Sequence, residues 1–229
     1  MKRLAKTAIA AVAAGLVAAP AAAELELSFY MGVQSVQDST ASGTLPGGAA
    51  VSQSVDWQGK PLENPFYYGA RGTWWTANNL GFGLEVTHAK AYADAASMAA
   101  IGVSRLELSD GHNIITANVM KRWPGAFKKT PKFTPYVGAG LGIAMPHVDA
   151  QPLAAGSVRT FGYETTGLAA RGIAGLKYEL NQDWALFGEY QVTWSDNDLT
   201  IDGPAGTAPG ELSTELVTHA VNFGVSYSF

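Results

Sequence analysis

The stretch that most constrains the fold is the end of the chain, residues 217–229 (VTHAVNFGVSYSF). Val221, Phe223, Val225, Tyr227 and Phe229 alternate with Ala220, Asn222, Gly224, Ser226 and Ser228, so every large apolar group falls on one side of a period-two pattern. One face suits hydrocarbon; the other is small and polar. A soluble strand can alternate too, but here two aromatics close the chain where a polar tail would be expected. The pattern predicts a strand that faces lipid on one side and a lumen on the other.

Residues 1–23 read as a targeting segment with a cleavage site. Lys2, Arg3 and Lys6 precede an Ala, Val, Leu and Ile run that ends in Ala21-Ala22-Ala23, and cleavage there would leave Glu24 first. No later stretch reaches the roughly 18 consecutive apolar residues of a membrane helix, so a membrane-spanning chain must cross with strands closed into a barrel. Of the 15 Lys and Arg, three lie in that segment, leaving 12 against 19 Asp and Glu and a charge of −7. Without a basic stripe to meet phosphates, nucleic acid is not an expected partner. Cysteine is absent, which excludes thiolate metal sites, Cys nucleophiles and disulfide staples.

The same alternation recurs along the chain. Leu25, Leu27, Phe29, Met31 and Val33 oppose Glu26, Ser28, Tyr30, Gly32 and Gln34 in a first strand. Further strands are predicted over 65–75, with Tyr67, Tyr68, Trp74 and Trp75 as interfacial aromatics, and over 80–88, 112–123, 133–143, 163–179, 184–194 and 217–229. Short turns at 76–79, 124–131 and 180–183 alternate with long connections at 35–64, 89–111, 145–162 and 195–216. In the second of these, Asp94 can cap a short helix through Ile101 that Gly102 stops. The glycines at 138, 140 and 142 recur every second residue within a strand and precede no helix, so they do not form a nucleotide loop.

The reading is therefore all-β: an eight-stranded antiparallel transmembrane β-barrel with four long external loops, one domain over 24–229, expected as a monomer in the outer membrane. Its ending on Phe229 resembles that of bacterial outer-membrane proteins. Eight strands leave an interior just wide enough for side chains, so Arg71, Glu85, Arg171 and Glu189 are expected to pair as a buried polar plug.

The strand directions place His88, His112, His147 and His219 all at the external rim. Asp94, Glu107, Asp110 and Asp149 fall at the same end, so imidazole and carboxylate ligation of a divalent ion and ordinary solvated rim histidines both remain open. Lys60, Lys90, Arg105 and Arg159 also sit there, as phosphate-binding cations or as plain surface charge. Ser104, Ser109 and Ser195 are hydrolase nucleophiles only by location, because no G-x-S-x-G elbow occurs.

The segments ELELSFYMGVQ (24–34), NPFYYGARGTWW (64–75), GFGLEVTHAKAYAD (81–94), SRLELSDGHNIIT (104–116), KRWPGAF (121–127), FTPYVGAGLGIAMPHVD (133–149) and FGEYQ (187–191) together resemble the outer-membrane lipid A oxidase family of alphaproteobacteria. The T-H-x-K-x-Y-A-D pattern fits His88, Lys90, Tyr92 and Asp94, and P-H-V-D fits His147 and Asp149; His112 and His219 fall outside the pattern.

The resemblance implies a barrel that uses molecular oxygen to oxidise the proximal glucosamine of lipid A, freed of its 1-phosphate, to 2-aminogluconate. Lipopolysaccharide is then the partner. A rim base would take the anomeric hydroxyl proton, a redox metal or another acceptor would receive the hydride equivalent, and oxygen would reoxidise it. His88, His147 and Asp149 are the candidate metal ligands or bases, with Glu107 and Asp110 as further catalytic candidates. Lys90 and Arg105, beside Tyr92, would position the acidic glycolipid. The competing reading is a non-enzymatic barrel that braces the membrane or presents its loops.

Overall fold

A computed structural model describes residues 24–229; the targeting segment read at 1–23 lies outside the described residues. The elements are β1 Glu24–Val36, β2 Ser39–Thr44, β3 Ala50–Val55, β4 Trp57–Gln58, β5 Tyr68–Trp75, β6 Leu80–Ala93, α1 Ala95–Ile101, β7 Val103–Arg122, β8 Phe133–Pro152, β9 Thr160–Tyr163, β10 Gly167–Glu179, β11 Trp184–Ile201 and β12 Gly210–Ser228. Among the described residues no helix is long and apolar enough to cross a membrane.

Eight of the strands form a ring in the order β1, β5, β6, β7, β8, β10, β11, β12. The ring closes where β12 pairs antiparallel with β1, from Glu26 opposite Ser228 to Val36 opposite Thr218. The amide of Phe229 donates to the carbonyl of Leu25 at 2.9 Å, which extends the seam to the chain end. Closure leaves no strand edge in lipid, and each outward face carries the apolar set: Leu27, Phe29, Met31 and Val33 on β1, Phe82, Leu84 and Val86 on β6.

The strands run well past the membrane. β7 and β8 are 20 residues each, about twice the 9–11 that a tilted spanning strand needs. Most of the segments read as long connections at 89–111, 145–162 and 195–216 are therefore strand, and 35–64 holds β2, β3 and β4. The reason is a reversal of polarity without a change of period. Within the membrane β6 turns Glu85 and Thr87 inward and Leu84 and Val86 outward; beyond it the same strand turns Ala91 and Ala93 inward and Lys90 and Tyr92 outward. Lipid has given way to water, so the face that seeks burial changes sides.

The inward apolar residues of these extensions form an external core of Ala91, Leu106, Leu108, Val148, Leu199, Leu212, Leu216 and their neighbours. The β2–β3 hairpin joins the sheet through Glu211 opposite Thr44, and β4 joins through Trp57 opposite Ala93. Helix α1 adds Ile101 to this core. Asp94 caps it by accepting from the Ser97 amide at 2.8 Å, and Gly102, at φ 93°, ends it in the left-handed region. Of the aromatics expected at the interfaces, Tyr68 and Trp74 face outward, whereas Trp75, at an inward position of β5, and Tyr67, just before the strand, are buried.

Mid-barrel, the polar plug forms as expected. Glu85 meets Arg171 at 3.0 Å and Arg71 at 3.5 Å, and Arg71 meets Glu189 at 2.8 Å. The carboxylate of Glu85 also accepts from Tyr30 (2.5 Å), Gln191 (2.7 Å) and Asn118 (2.7 Å), and that of Glu189 from Tyr136 (2.8 Å). Beside it, between Ser28, Arg71, Trp75 and Phe187, a cavity of about 10 Å³ has room for about one water. Two guanidiniums and two carboxylates thus neutralise one another across the lumen at this level. Glu85→Ala, which strands Arg171 and half of Arg71, is expected to lower the unfolding free energy by about 3–5 kcal/mol. Urea unfolding of the refolded barrel in vesicles measures this, and an unchanged midpoint would mean that the network adds nothing.

Candidate functional site

Two rows of outward side chains cross the external extensions of neighbouring strands. The lower runs Tyr68, His88, Asn113, Met145 on β5, β6, β7 and β8; the upper runs Tyr92, Glu107, Asp149, Phe161 on β6, β7, β8 and β9. Residues directly opposite on paired strands share a face, so each row is a continuous strip of surface. Between the rows β7 bulges: Glu107 pairs with Asp149 but the next matched pair is His112 with Pro146. The extra residues present Asp110 to the outer surface. Gly111 permits the bulge, with φ 122° and so little room that a Cβ would lie 2.7 Å from the His88 ring.

His147 stands between the two rows, opposite Tyr163 of β9. Its ring meets the edges or faces of Phe161 and Tyr163 at centroid distances of 4.3 and 4.8 Å. Its Nδ1 is buried without a hydrogen-bond partner and lies 3.7 Å from Oδ2 of Asp110, too far for a direct bond. The hydroxyl of Tyr163 donates to the Asp110 carbonyl at 2.8 Å, which ties the bulge to the histidine. His88 stacks on Tyr68 at 5.0 Å, and its Nδ1 is 3.1 Å from Oδ1 of Asn113. Its buried Nε2 has no partner.

Asp149 is clamped by arginine. Arg159 donates to both of its oxygens at 2.6 Å and Arg105 to one at 3.1 Å. Burial alone would raise the Asp149 carboxyl; the hydrogen bonds and charges of Arg159 and Arg105 overcome it and hold the group below its ordinary range. Glu107, which contacts Arg105, is pushed up by burial, with the Asp149 charge adding and Arg105 opposing. Lys60 lies 4.5 Å from the Tyr92 ring centroid and Lys90 5.7 Å from it.

The site residues expected from sequence, His88, Lys90, Tyr92, Arg105, Glu107, Asp110, His147 and Asp149, take outward positions on β6, β7 and β8, with His88, Lys90, His147 and Asp149 buried there beneath their neighbours. His219 sits on β12, bonded to Tyr190 and Gln37. His112 points inward, where Asn197 and Ser195 contact its Nε2 at 3.1 and 3.2 Å, so Ser195 is a buried structural hydroxyl.

Two details differ from expectation. Lys90 is fully buried, its Nζ 2.5 Å from the Glu63 carbonyl, so it cannot touch a lipid directly. The ligand set of His88, His147 and Asp149 does not fit a metal ion: Asp149 is saturated by guanidiniums, and His88 and His147 are two strands apart. No group of three or more His, Cys, Asp or Glu among the described residues is placed to hold one. Phe161 and Tyr163 escaped the sequence reading, although the aromatic-glycine-aromatic alternation at 161–163 marks a short strand.

A closed eight-stranded barrel with an apolar outer belt, a filled polar lumen and a polar external rim is a transmembrane β-barrel of the Gram-negative outer membrane. The chain belongs to the family of the outer membrane protein beta-barrel domain, whose profile matches residues 8–229. Among solved structures it is similar to outer membrane protein AlkL in lipid bilayers, with a TM-score of 0.57 and 19% identity, covering 93% of this chain and 92% of that one. It is also similar to OprG from Pseudomonas aeruginosa, with a TM-score of 0.54 and 14% identity over 90% and 95% of the two chains. At such identities the likeness is one of fold. None of the curated proteins compared matches.

The depressed Asp149 carboxyl gives the rim a pH dependence. Its contribution to stability is present above the ordinary value of 3.8 and is lost as pH falls through the lower folded value. The protection factors of the β9 amides, which divide out the intrinsic pH dependence of exchange, should therefore fall several-fold once the pH drops below 3.8. In Asp149→Asn they should be low at neutral pH already and respond little to acid; unchanged protection in the variant would contradict the clamp.

Proposed function

We propose that the outward rim of β6–β9 binds the headgroup of lipid A and that the protein oxidises the proximal glucosamine to 2-aminogluconate with molecular oxygen as the oxidant. The observation that carries the reading is positional. The residues that match the lipid A oxidase pattern lie at outward positions of the strand extensions just beyond the apolar belt, rather than in the lumen.

The chemistry balances as follows. The free hemiacetal at C1 loses two electrons and two protons to oxygen, giving a lactone and hydrogen peroxide, and water opens the lactone to the acid. The lipid gains one oxygen. In this reading the C1 hydroxyl approaches from the exposed Asp110 side, where Asp110 orients the hydroxyl and His147, 3.7 Å from it, accepts the proton. Phe161 and Tyr163 flank the imidazole and supply an apolar wall for the sugar ring. Arg105 and Tyr92 hold the acidic headgroup, and Arg159 fixes Asp149 and with it the β8–β9 edge. No metal is assigned to His88, His147 and Asp149, which supply proton handling and binding only.

The test is mass spectrometry of lipid A lacking its 1-phosphate, incubated in detergent and air with refolded protein. The wild type is expected to add one oxygen to the proximal sugar. His147→Ala and Asp110→Asn should each slow this by roughly 100-fold or more, the usual contribution of a positioned base. Oxygen gain at the same rate in both variants would remove the site. No gain with any protein would favour a barrel that braces the membrane or presents its loops.

A further inference from the structure

Charge is unevenly partnered along the rim. Arg105 and Arg159 both rest on Asp149, and Arg105 also contacts Glu107. At the other end, Lys60 and Lys90 flank the Tyr92 ring, and neither forms an ion pair with a carboxylate among the described residues. Lys90 is the more telling of the two: a fully buried ammonium with three donors, of which one meets the Glu63 carbonyl. Burial disfavours the Lys90 ammonium and the nearby Lys60 charge adds to this; the Glu63 charge only partly offsets them, and a further anion would offset more.

Directly beside these lysines is a groove of about 250 Å³ between α1 and the outward edges of β6 and β7. Lys60, Arg105 and Glu107 line it with the Tyr92 ring, while Met98 and Leu106 give it an apolar floor. The combination is that of a site for a sugar carrying an oxyanion: an aromatic face and apolar floor for the ring, and cations at one end for the charge. Tyr92 on β6 and His147 on β8 are two strand spacings and two residues apart, roughly 12 Å, a span that a disaccharide headgroup can cover from this groove to the His147–Asp110 pair.

We propose that the groove is a phosphate subsite, in which Lys60 and Arg105 bind the phosphoryl group on the distal sugar of the headgroup and Lys90 reinforces them from beneath the Tyr92 ring. This rests on the glycolipid reading above but not on oxidation, since a phosphate anchor serves binding alone. It adds Lys60 to the site and makes the distal phosphate a specificity element: the anchored distal sugar sets which sugar reaches His147.

Equilibrium binding separates the two ideas. Isothermal titration calorimetry under nitrogen would use refolded protein in a zwitterionic detergent and lipid A lacking the 1-phosphate, with and without the distal phosphate. The phosphorylated lipid is expected to bind about tenfold more tightly at low salt, as for one charge-assisted contact. The advantage should shrink as salt rises, collapse in Lys60→Gln, and return in Lys60→Arg. Equal affinity for the two lipids in the wild type, or a full preference in Lys60→Gln, would overturn the subsite. If neither lipid binds, the glycolipid reading fails with it. A preserved phosphate preference in a protein that adds no oxygen to lipid A in air would uphold the subsite and remove only the oxidase. Competition by inorganic phosphate or glucosamine 6-phosphate as strong as that of the phosphorylated lipid would assign the groove to a free solute and overturn the lipid source.

Discussion

Everything in this protein depends on one seam. In hydrocarbon no water can satisfy a backbone amide, so the sheet is viable only if its first and last strands meet. β12 makes that possible by pairing along its length with β11 on one side and with β1 on the other, and the Phe229 amide completes the ladder at Leu25. Once closed, the ring determines which side of each residue is lumen and which is lipid, and the alternation of every other strand follows that assignment.

Closure also forces polar residues inward, where they must satisfy one another. The Arg71, Arg171, Glu85 and Glu189 group does this with Tyr30, Tyr136, Asn118 and Gln191 supplying the remaining donors. Such a network gives modest net stability but a large penalty when broken, so it fixes the lumen as a filled one. The surfaces that the barrel leaves free are then its outer wall and the external rim.

That rim exists because the strands do not stop at the membrane. β6, β7 and β8 continue into water with their period intact and their polarity exchanged, so one set of positions that faces lipid below becomes a set of His, Lys, Arg, Asp, Glu and Tyr above. The apolar external core behind them, closed by α1 and the β2–β3 hairpin, gives these side chains a rigid backing. A surface built this way opens sideways, on the outer wall of the barrel just beyond its apolar belt.

The strand count, the ring, the polar plug and the capped helix were all legible in the residues, because each rests on local periodicity or on a cap a few residues long. The lengths of the strands were not. A reader following one sign of hydrophobicity loses β6 at His88 and β8 at Ile143, where only the solvent changes. The residues of the rim were likewise visible as types near one end of the barrel, while their partnerships were not: that Asp149 is held by Arg159 and Arg105, that Lys90 is covered, and that Asp110 reaches His147 through a bulge in β7. Sequence by itself determines the alternation and hence the barrel, since neighbouring residues must face opposite ways. Only the tertiary structure decides which charges meet, because register between strands, and the bulge that shifts it, bring together residues some forty positions apart.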